Sequence, residues 1–259
     1  MDLQLKGKVA VVAASSQGLG KAIAEELLKE GVKVIISGRD EEKLKRVANE
    51  LEAFGSVAFK QTDITNVNDI KDLIATAIDT YGGIDILVNN AGGPPAGKFE
   101  AISDDEWQQA FELNLLSYIR LIREALPYLK INGGRIINIA SSSIKEPIPG
   151  LVLSNTLRTG IVGLTKTLSE ELAQYNILIN TVAPGRFGTD RVKHLDDVTA
   201  KQLNVSREQV EQKAKNSIPL KRYGEPEEFA KVVVFLSSSA NSYMTGSSFL
   251  VDGGMVKSI

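Results

Sequence analysis

Cysteine is absent from the chain, which excludes disulfides, thiolate catalysis and cysteine-based metal centres together. Histidine occurs once, as His194, too few for a histidine metal site and a poor basis for a Ser-His-Asp triad. Neither sign of charge dominates: 30 Lys and Arg stand against 32 Asp and Glu, a formal net charge of -2. A nucleic acid or an anionic membrane would find no basic field to bind. Long apolar runs are missing too, and the opening M-D-L-Q-L-K-G-K reads as neither signal peptide nor membrane anchor. A soluble, cytoplasmic protein is the expectation. With 259 residues, 43% of them hydrophobic, the chain can build a substantial core.

What is present is a regular alternation of short apolar runs with amphipathic stretches. Val9–Ala14, Val32–Ser37, Val57–Gln61, Ile84–Asn89, Arg135–Ala140, Ile177–Val182 and Ser247–Val251 read as strands. Most are nearly continuous hydrophobic runs, the pattern of parallel strands covered on both faces. Helices are expected at Gly18–Glu30, Glu41–Phe54, Val67–Tyr81, Asp104–Leu129, Ser154–Gln174 and Pro226–Ser237. In the first, Ile23, Leu27 and Leu28 share one stripe while Lys21, Glu25 and Lys29 face outward. Such alternation predicts one α/β domain over 1–259, a doubly wound, seven-stranded parallel sheet with helices on both faces. Ligands on such sheets bind beyond the carboxyl ends of the strands, where strand order reverses. The segment 186–216 is polar and has no strand signal. It is expected to be an inserted loop with one or two helices, able to cover a substrate or serve as a surface flap.

The motifs cluster at those carboxyl ends. Ala13-Ala14-Ser15-Ser16-Gln17-Gly18-Leu19-Gly20 follows the first strand and opens the first helix, a context in which small residues and a helix N-terminus receive a diphosphate. Asp63-Ile64 ends the third strand, Asn89-Asn90-Ala91-Gly92 the fourth and Pro184-Gly185 follows the sixth; Asp252-Gly253-Gly254 closes the chain's last strand. In this order, and over nearly the whole chain, they resemble the short-chain dehydrogenase/reductase family. The resemblance implies a Rossmann fold that binds a nicotinamide dinucleotide through residues 14–20, Asp63, Ile64, Asn90, Ala91, Gly92, Pro184 and Gly185. It departs from the family's T-G-x-x-x-G-x-G at Ala13 and Ala14, where Ala14 takes a position that can need φ > 0. The second strand ends Ser37-Gly38-Arg39-Asp40, without the usual NAD-selecting carboxylate at Gly38. NADP is therefore expected over NAD, with Ser15, Ser37 and Arg39 around its 2′-phosphate; Asp40 could accept the ribose or cap the next helix.

The family's chemistry uses Ser, Tyr and Lys with a helical Asn. By resemblance Asn114 matches the Asn, and Ser141, thirteen residues before Ser154, matches the substrate-orienting Ser. Ser154 and Arg158 then stand at the Tyr and Lys positions, Arg158 also being placed to hold the nicotinamide ribose. A serine hydroxyl is a far weaker acid than a phenol, and arginine differs from lysine in shape and donor geometry. Lys145 and Tyr118 are substitute proton donors to consider, though a solvated loop charge and a packing aromatic are the plainer readings. Three functions remain open: an oxidoreductase on a small carbonyl or alcohol with a rearranged proton relay, an NADP-binding sensor or partner subunit, and a structural member of an oligomer. The family also implies a homotetramer or homodimer packed through the Asp104–Leu129 and Ser154–Gln174 helices. Trp107 is expected to pack the start of the former, His194 to be a solvated histidine and Arg186 to form a loop salt bridge.

Overall fold

In the computed structural model, which describes residues 2–258, seven parallel strands form one sheet in the order β3-β2-β1-β4-β5-β6-β7. They are β1 Val9–Val12, β2 Lys33–Gly38, β3 Val57–Gln61, β4 Ile86–Asn89, β5 Gly134–Ile139, β6 Ile177–Pro184 and β7 Ser248–Val251. Order reverses between β1 and β4, which pair directly through Ala10, Val11 and Val12 with Ile86, Leu87 and Val88. The cleft described below opens above this point.

Side-chain alternation divides the core in two. Ala10 and Val12 join Val34 and Ile36 against helices α1 (Gly18–Lys29), α2 (Glu41–Leu51) and α9 (Pro226–Ser237). Val11 and Ile35 face the other way, onto α3 (Val67–Tyr81), α5 (Ser117–Asn132) and α6 (Val152–Ala173). Both faces of the central strands are thus dry, while the edge strands β3 and β7 are half-buried, which is why the central runs are continuously apolar. A polar thread crosses the second layer: Asn89 Nδ2 donates to Asn138 Oδ1 (2.8 Å), Asn138 Nδ2 to Thr165 Oγ1 (2.9 Å), and Thr165 and Thr181 hydroxyls meet at 2.9 Å. Asn89 therefore ties neighbouring strands and α6 together.

Three differences from expectation bear on the cleft. The stretch 104–129 is not one α-helix: α4 (Asp104–Phe111) leads into a π turn at Glu112–Leu116, then α5. The wider turn carries Asn114, and such insertions recur where a helix side chain must be re-aimed. Strand β1 stops two residues early because Ala14 turns the chain with φ 47. Helix α6 starts at Val152, so Ser154 lies inside its first turn. The 186–216 segment contains α7 (Asp190–Leu203) and α8 (Arg207–Ser217). Both have polar surfaces and side-chain caps, Thr189 for α7 and the reciprocal Ser206–Gln209 pair for α8.

The φ of Ala14 yields a stability prediction. Left-handed backbone strains a residue with a Cβ by roughly 1–2 kcal/mol, of which glycine's greater freedom in the unfolded chain offsets about half. Ala14→Gly should therefore stabilise the protein by about 0.5–1 kcal/mol in urea unfolding. No gain, or a loss, would show that the turn carries no strain.

Candidate active site

A cleft of about 410 Å³ runs along the carboxyl ends of the strands. Its walls can be built from the sheet outward. On one side the β1–α1 loop contributes Ala14, Ser16, Gln17, Gly18, Leu19 and Gly20. Asn90, at the end of β4, holds that loop in place, its Nδ2 donating to the carbonyls of Ala13 (3.3 Å) and Ala14 (3.0 Å). Gly20 has no alternative there, since a Cβ would lie 2.6 Å from the Ala14 carbonyl oxygen and 2.8 Å from Asn90 Nδ2. Gly38, Arg39, Asp63 and Ile64 close this end of the cleft. Asp40 does cap α2, its carboxylate accepting from Lys43 N (3.0 Å), and is thereby committed to the helix. Asp63 is engaged by Thr65, whose amide and hydroxyl both donate to it (2.9 and 2.7 Å).

Two expected phosphate contacts are corrected. Ser15 and Ser37 are both fully buried and lie below the cleft rather than on it. Ser15 Oγ donates to Val12 O (2.7 Å) and accepts from Ser37 N (3.0 Å), while Ser37 Oγ faces Val12 O. They pin the turn to β2. The hydroxyl that reaches the end of β2 from the loop is that of Ser16, which a Cβ on Gly38 would meet at 3.1 Å. Strand alternation supplies the reason: Ser37 points into the layer opposite to that required.

At the far end of the cleft stand Ala91, Gly92, Ser141, Ser154, Arg158, Pro184 and Gly185. Gly185 is fixed from beneath, because a Cβ on it would sit 2.6 Å from Asp252 Cβ; Asp252 in turn accepts from Gly254 N and Val256 N, both at 2.8 Å. Ser141 Oγ accepts from Ser143 N (3.2 Å) and keeps its own proton free. The Ser154 hydroxyl, 8% exposed as a residue, makes no hydrogen bond within the described residues and opens onto the cleft. Helix α6 is steadied there by a small apolar cluster in which Trp107 and Ala110 of α4 meet Leu153 and Leu157.

Arg158 is the group around which this end is organised. It is 4% exposed. Its Nη1 donates to Tyr118 Oη (2.8 Å) and to Ile139 O (2.9 Å), and its Nη2 to Ala91 O (3.2 Å). These are neutral acceptors, and no carboxylate pairs with it among the described residues. Two of a guanidinium's five N–H donors are left for the cleft. Tyr118 itself is fully buried and donates to Ile139 O (2.8 Å); burial raises its pKa, against the opposing Arg158 charge. It is a support for Arg158, held off the cleft surface, and this corrects its candidacy as an acid. Lys145 is corrected as well: it is exposed, away from the cleft, with its carbonyl accepting from Ser258 Oγ (3.4 Å). Asn114 is also buried behind the wall, its Nδ2 donating to Gly92 O (2.7 Å) and its Oδ1 accepting nothing from the described residues.

The flap completes the enclosure. Thr189, Arg191, Val192 and Leu195 line the cleft, none of them foreseen from sequence. Arg186 forms the salt bridge expected of it: Nη1 lies 2.5 Å from Asp196 Oδ1, and the buried Asp196 also accepts from Tyr223 Oη (2.8 Å). Burial and that hydrogen bond push the Tyr223 pKa up to about 12, so the phenol remains a donor at any ordinary pH. His194 is exposed and outside the cleft. No helix among the described residues is long and apolar enough to cross a membrane.

A glycine loop at one end, and two hydroxyls with a buried cation at the other, suit an elongated ligand whose reacting end develops negative charge on oxygen. Comparison with known proteins agrees with this layout. A family model described as enoyl-(acyl carrier protein) reductase matches residues 13–256. The 3-oxoacyl-[acyl-carrier-protein] reductase of Aquifex aeolicus is 38% identical over 258 residues, covering 98% of this chain and 100% of its own. L-sorbose reductase from Gluconobacter frateurii, solved with NADPH and L-sorbose, superposes with a TM-score of 0.95 at 32% identity over the full length of both chains. Actinorhodin polyketide ketoreductase with NADPH gives 0.93, also at 32% identity, over 96% of this chain and 97% of that one.

Proposed function

Because the chain belongs to the short-chain dehydrogenase/reductase family, we propose that it is an NADP(H)-dependent oxidoreductase acting on a small carbonyl or alcohol, with Ser154 and Arg158 in the places of the family's Tyr and Lys. The observation that carries this reading is the opening of Ser141, Ser154 and the buried Arg158 onto one end of a cleft whose other end is the β1–α1 glycine loop. The cofactor would lie along Ala14 and residues 16–20, with Asp63, Ile64, Asn90, Ala91 and Gly92 beside it and Pro184-Gly185 at its nicotinamide. The loop fits a diphosphate: Gly18 adds no side chain at the N-terminus of α1, and Gly20 lets the loop close against Asn90. When bound, NADPH supplies a hydride to the carbonyl carbon.

The chain's own residues then handle the oxygen. Ser141 and Ser154 donate hydrogen bonds to it. Arg158 stabilises the alkoxide as charge develops, and in a cleft of low polarity that charge acts strongly. Arginine is a poor proton source at neutral pH. The proton that completes the alcohol is therefore passed by the Ser154 hydroxyl, which recovers one from water. Asn114 keeps the Gly92 carbonyl fixed behind the reacting end. Turnover of NADPH across a panel of carbonyl compounds tests the reading. Cofactor binding without turnover of any substrate would favour instead a binding subunit or sensor, the reading supported by the lack of a phenol on the cleft surface.

Arg39 would select the nucleotide. It is exposed at the end of β2 beside Gly38, with the adjacent carboxylate of Asp40 turned to its helix and that of Asp63 engaged by Thr65. NADPH should therefore bind more tightly than NADH. Arg39→Ala should weaken NADPH by roughly 10–100-fold, the worth of a charge-assisted contact of about 1.5–3 kcal/mol, with NADH little affected. Calorimetry on both nucleotides checks this, and tighter binding of NADH by the parent protein would refute it.

A further inference from the structure

The reacting end of the cleft holds more positive charge than the proposed reduction requires. Arg158 is buried against neutral partners alone, and an uncompensated buried guanidinium is unfavourable until an anion joins it. A second arginine, Arg191, reaches back from the first turn of α7. Its Nη2 donates to Pro94 O (2.8 Å), and its guanidinium lies against Gly93, where a Cβ would come within 3.0 Å of Nη2. Glycine at 93 is what leaves room for it. No carboxylate pairs with Arg191 among the described residues. Arg191 is exposed at the mouth of the cleft; desolvation of its guanidinium and then the neighbouring Arg158 charge lower its pKa.

The position of Arg191 assigns it to the substrate's half. The Gly93–Gly97 loop it touches is tied to the segment before α6, Gly97 N donating to Gly150 O (2.7 Å). Ser141, Leu151 and Ser154 lie on that side, while Arg39 and Asp63 lie at the other end of the cleft. The carboxylates that do line the cleft leave this charge unanswered: Asp63 is engaged by Thr65, and the exposed Asp190 faces Lys193 at 3.6 Å.

We propose that the substrate carries a carboxylate beside its carbonyl, that is, a small oxo acid, and that Arg191 is the specificity-determining residue that holds the carboxylate. The planar edge of a guanidinium matches a two-oxygen planar acceptor. This rests on the reductase reading above. In the step so defined the carbonyl carbon gains a hydride as NADPH is oxidised to NADP. The C=O π pair moves to oxygen, Ser154 gives that oxygen a proton that water replaces, and the carboxylate is unchanged.

The test uses oxamate, an unreactive carboxylate, titrated calorimetrically into the full-length protein saturated with NADPH. Parallel kinetics compare 2-oxo acids with their methyl esters. Oxamate should bind the parent protein, and Arg191→Met should weaken it about 10–100-fold, with the acid-to-ester ratio of kcat/KM falling alongside. Arg191→Lys should recover part of the loss, and circular dichroism should match the parent in both variants. The proposal is overturned if oxamate binds both proteins equally, if inorganic phosphate binds more tightly than oxamate, or if Arg191→Met weakens NADPH itself by the same factor. Oxamate bound through Arg191 with no carbonyl reduced would keep this site and remove the reductase reading. Reduction of neutral carbonyls with no oxamate binding would do the reverse.

Discussion

Arg158→Met should remove turnover while leaving the protein as stable as the parent. The guanidinium is the buried cation at the reacting end, and groups that stabilise a developing oxyanion contribute on the order of 10²–10³ in rate. Stability follows a different rule. Replacing a buried charge by an apolar chain of similar length is often neutral or favourable, because the desolvation of the charge disappears with it. The neighbours largely survive the change: Tyr118 still donates to Ile139 O, and only the Ala91 carbonyl loses its partner, a matter of about 1 kcal/mol. We therefore expect kcat/KM to fall by at least two orders of magnitude, with a melting temperature within a few degrees of the parent or above it. If activity and melting temperature fall in proportion, Arg158 is a structural strut and the proposed chemistry fails.

Gly20→Ala should weaken cofactor binding severely. The added methyl would lie 2.6 Å from the Ala14 carbonyl oxygen, 2.8 Å from Asn90 Nδ2 and 2.9 Å from Ser15 Cα, and two of those three neighbours are backbone. Relief requires the β1–α1 loop to move off Asn90, breaking the bonds that shape it. Overpacking of this kind costs about 1–3 kcal/mol in stability, and the displaced amides would weaken NADPH by roughly 100-fold or more. Gly92→Ala is the contrasting variant, since a Cβ there has nothing within 4 Å and the fold should accept it without penalty. Calorimetric titration with NADPH alongside urea unfolding separates the two. Unchanged affinity in Gly20→Ala would mean that the dinucleotide binds elsewhere.

The layers and the cleft were legible in the sequence because their signals are local. Each strand is a short apolar run between breakers, and Gly18, Asn90, Pro184 and Asp252 stand at strand ends in a fixed order. The errors lie where geometry depends on phase or on distant partners. One extra residue in the π turn at 112–116 shifts a helix by too little to disturb its apolar stripe, so 104–129 reads as unbroken. Ser37 and Gly38 are adjacent in sequence but point to opposite faces, and only the register of β2 decides which meets a ligand. Tyr118 and Arg158 lie forty residues apart and Arg191 and Pro94 ninety-seven. Nothing in the local composition of either segment announces such contacts. Ser206 and Gln209 did offer a capping signal for α8 that a reading by apolar periodicity passes over.

The bond between Tyr118 and Arg158 joins two helices in a way that restricts both residues. Lysine at 158 would have to satisfy Tyr118, Ile139 and Ala91 with one ammonium in place of a planar fork, and phenylalanine at 118 would strip the arginine of a neutral anchor in a dry interior. The pair therefore acts as one unit, so that a change at either position alters the setting of the other.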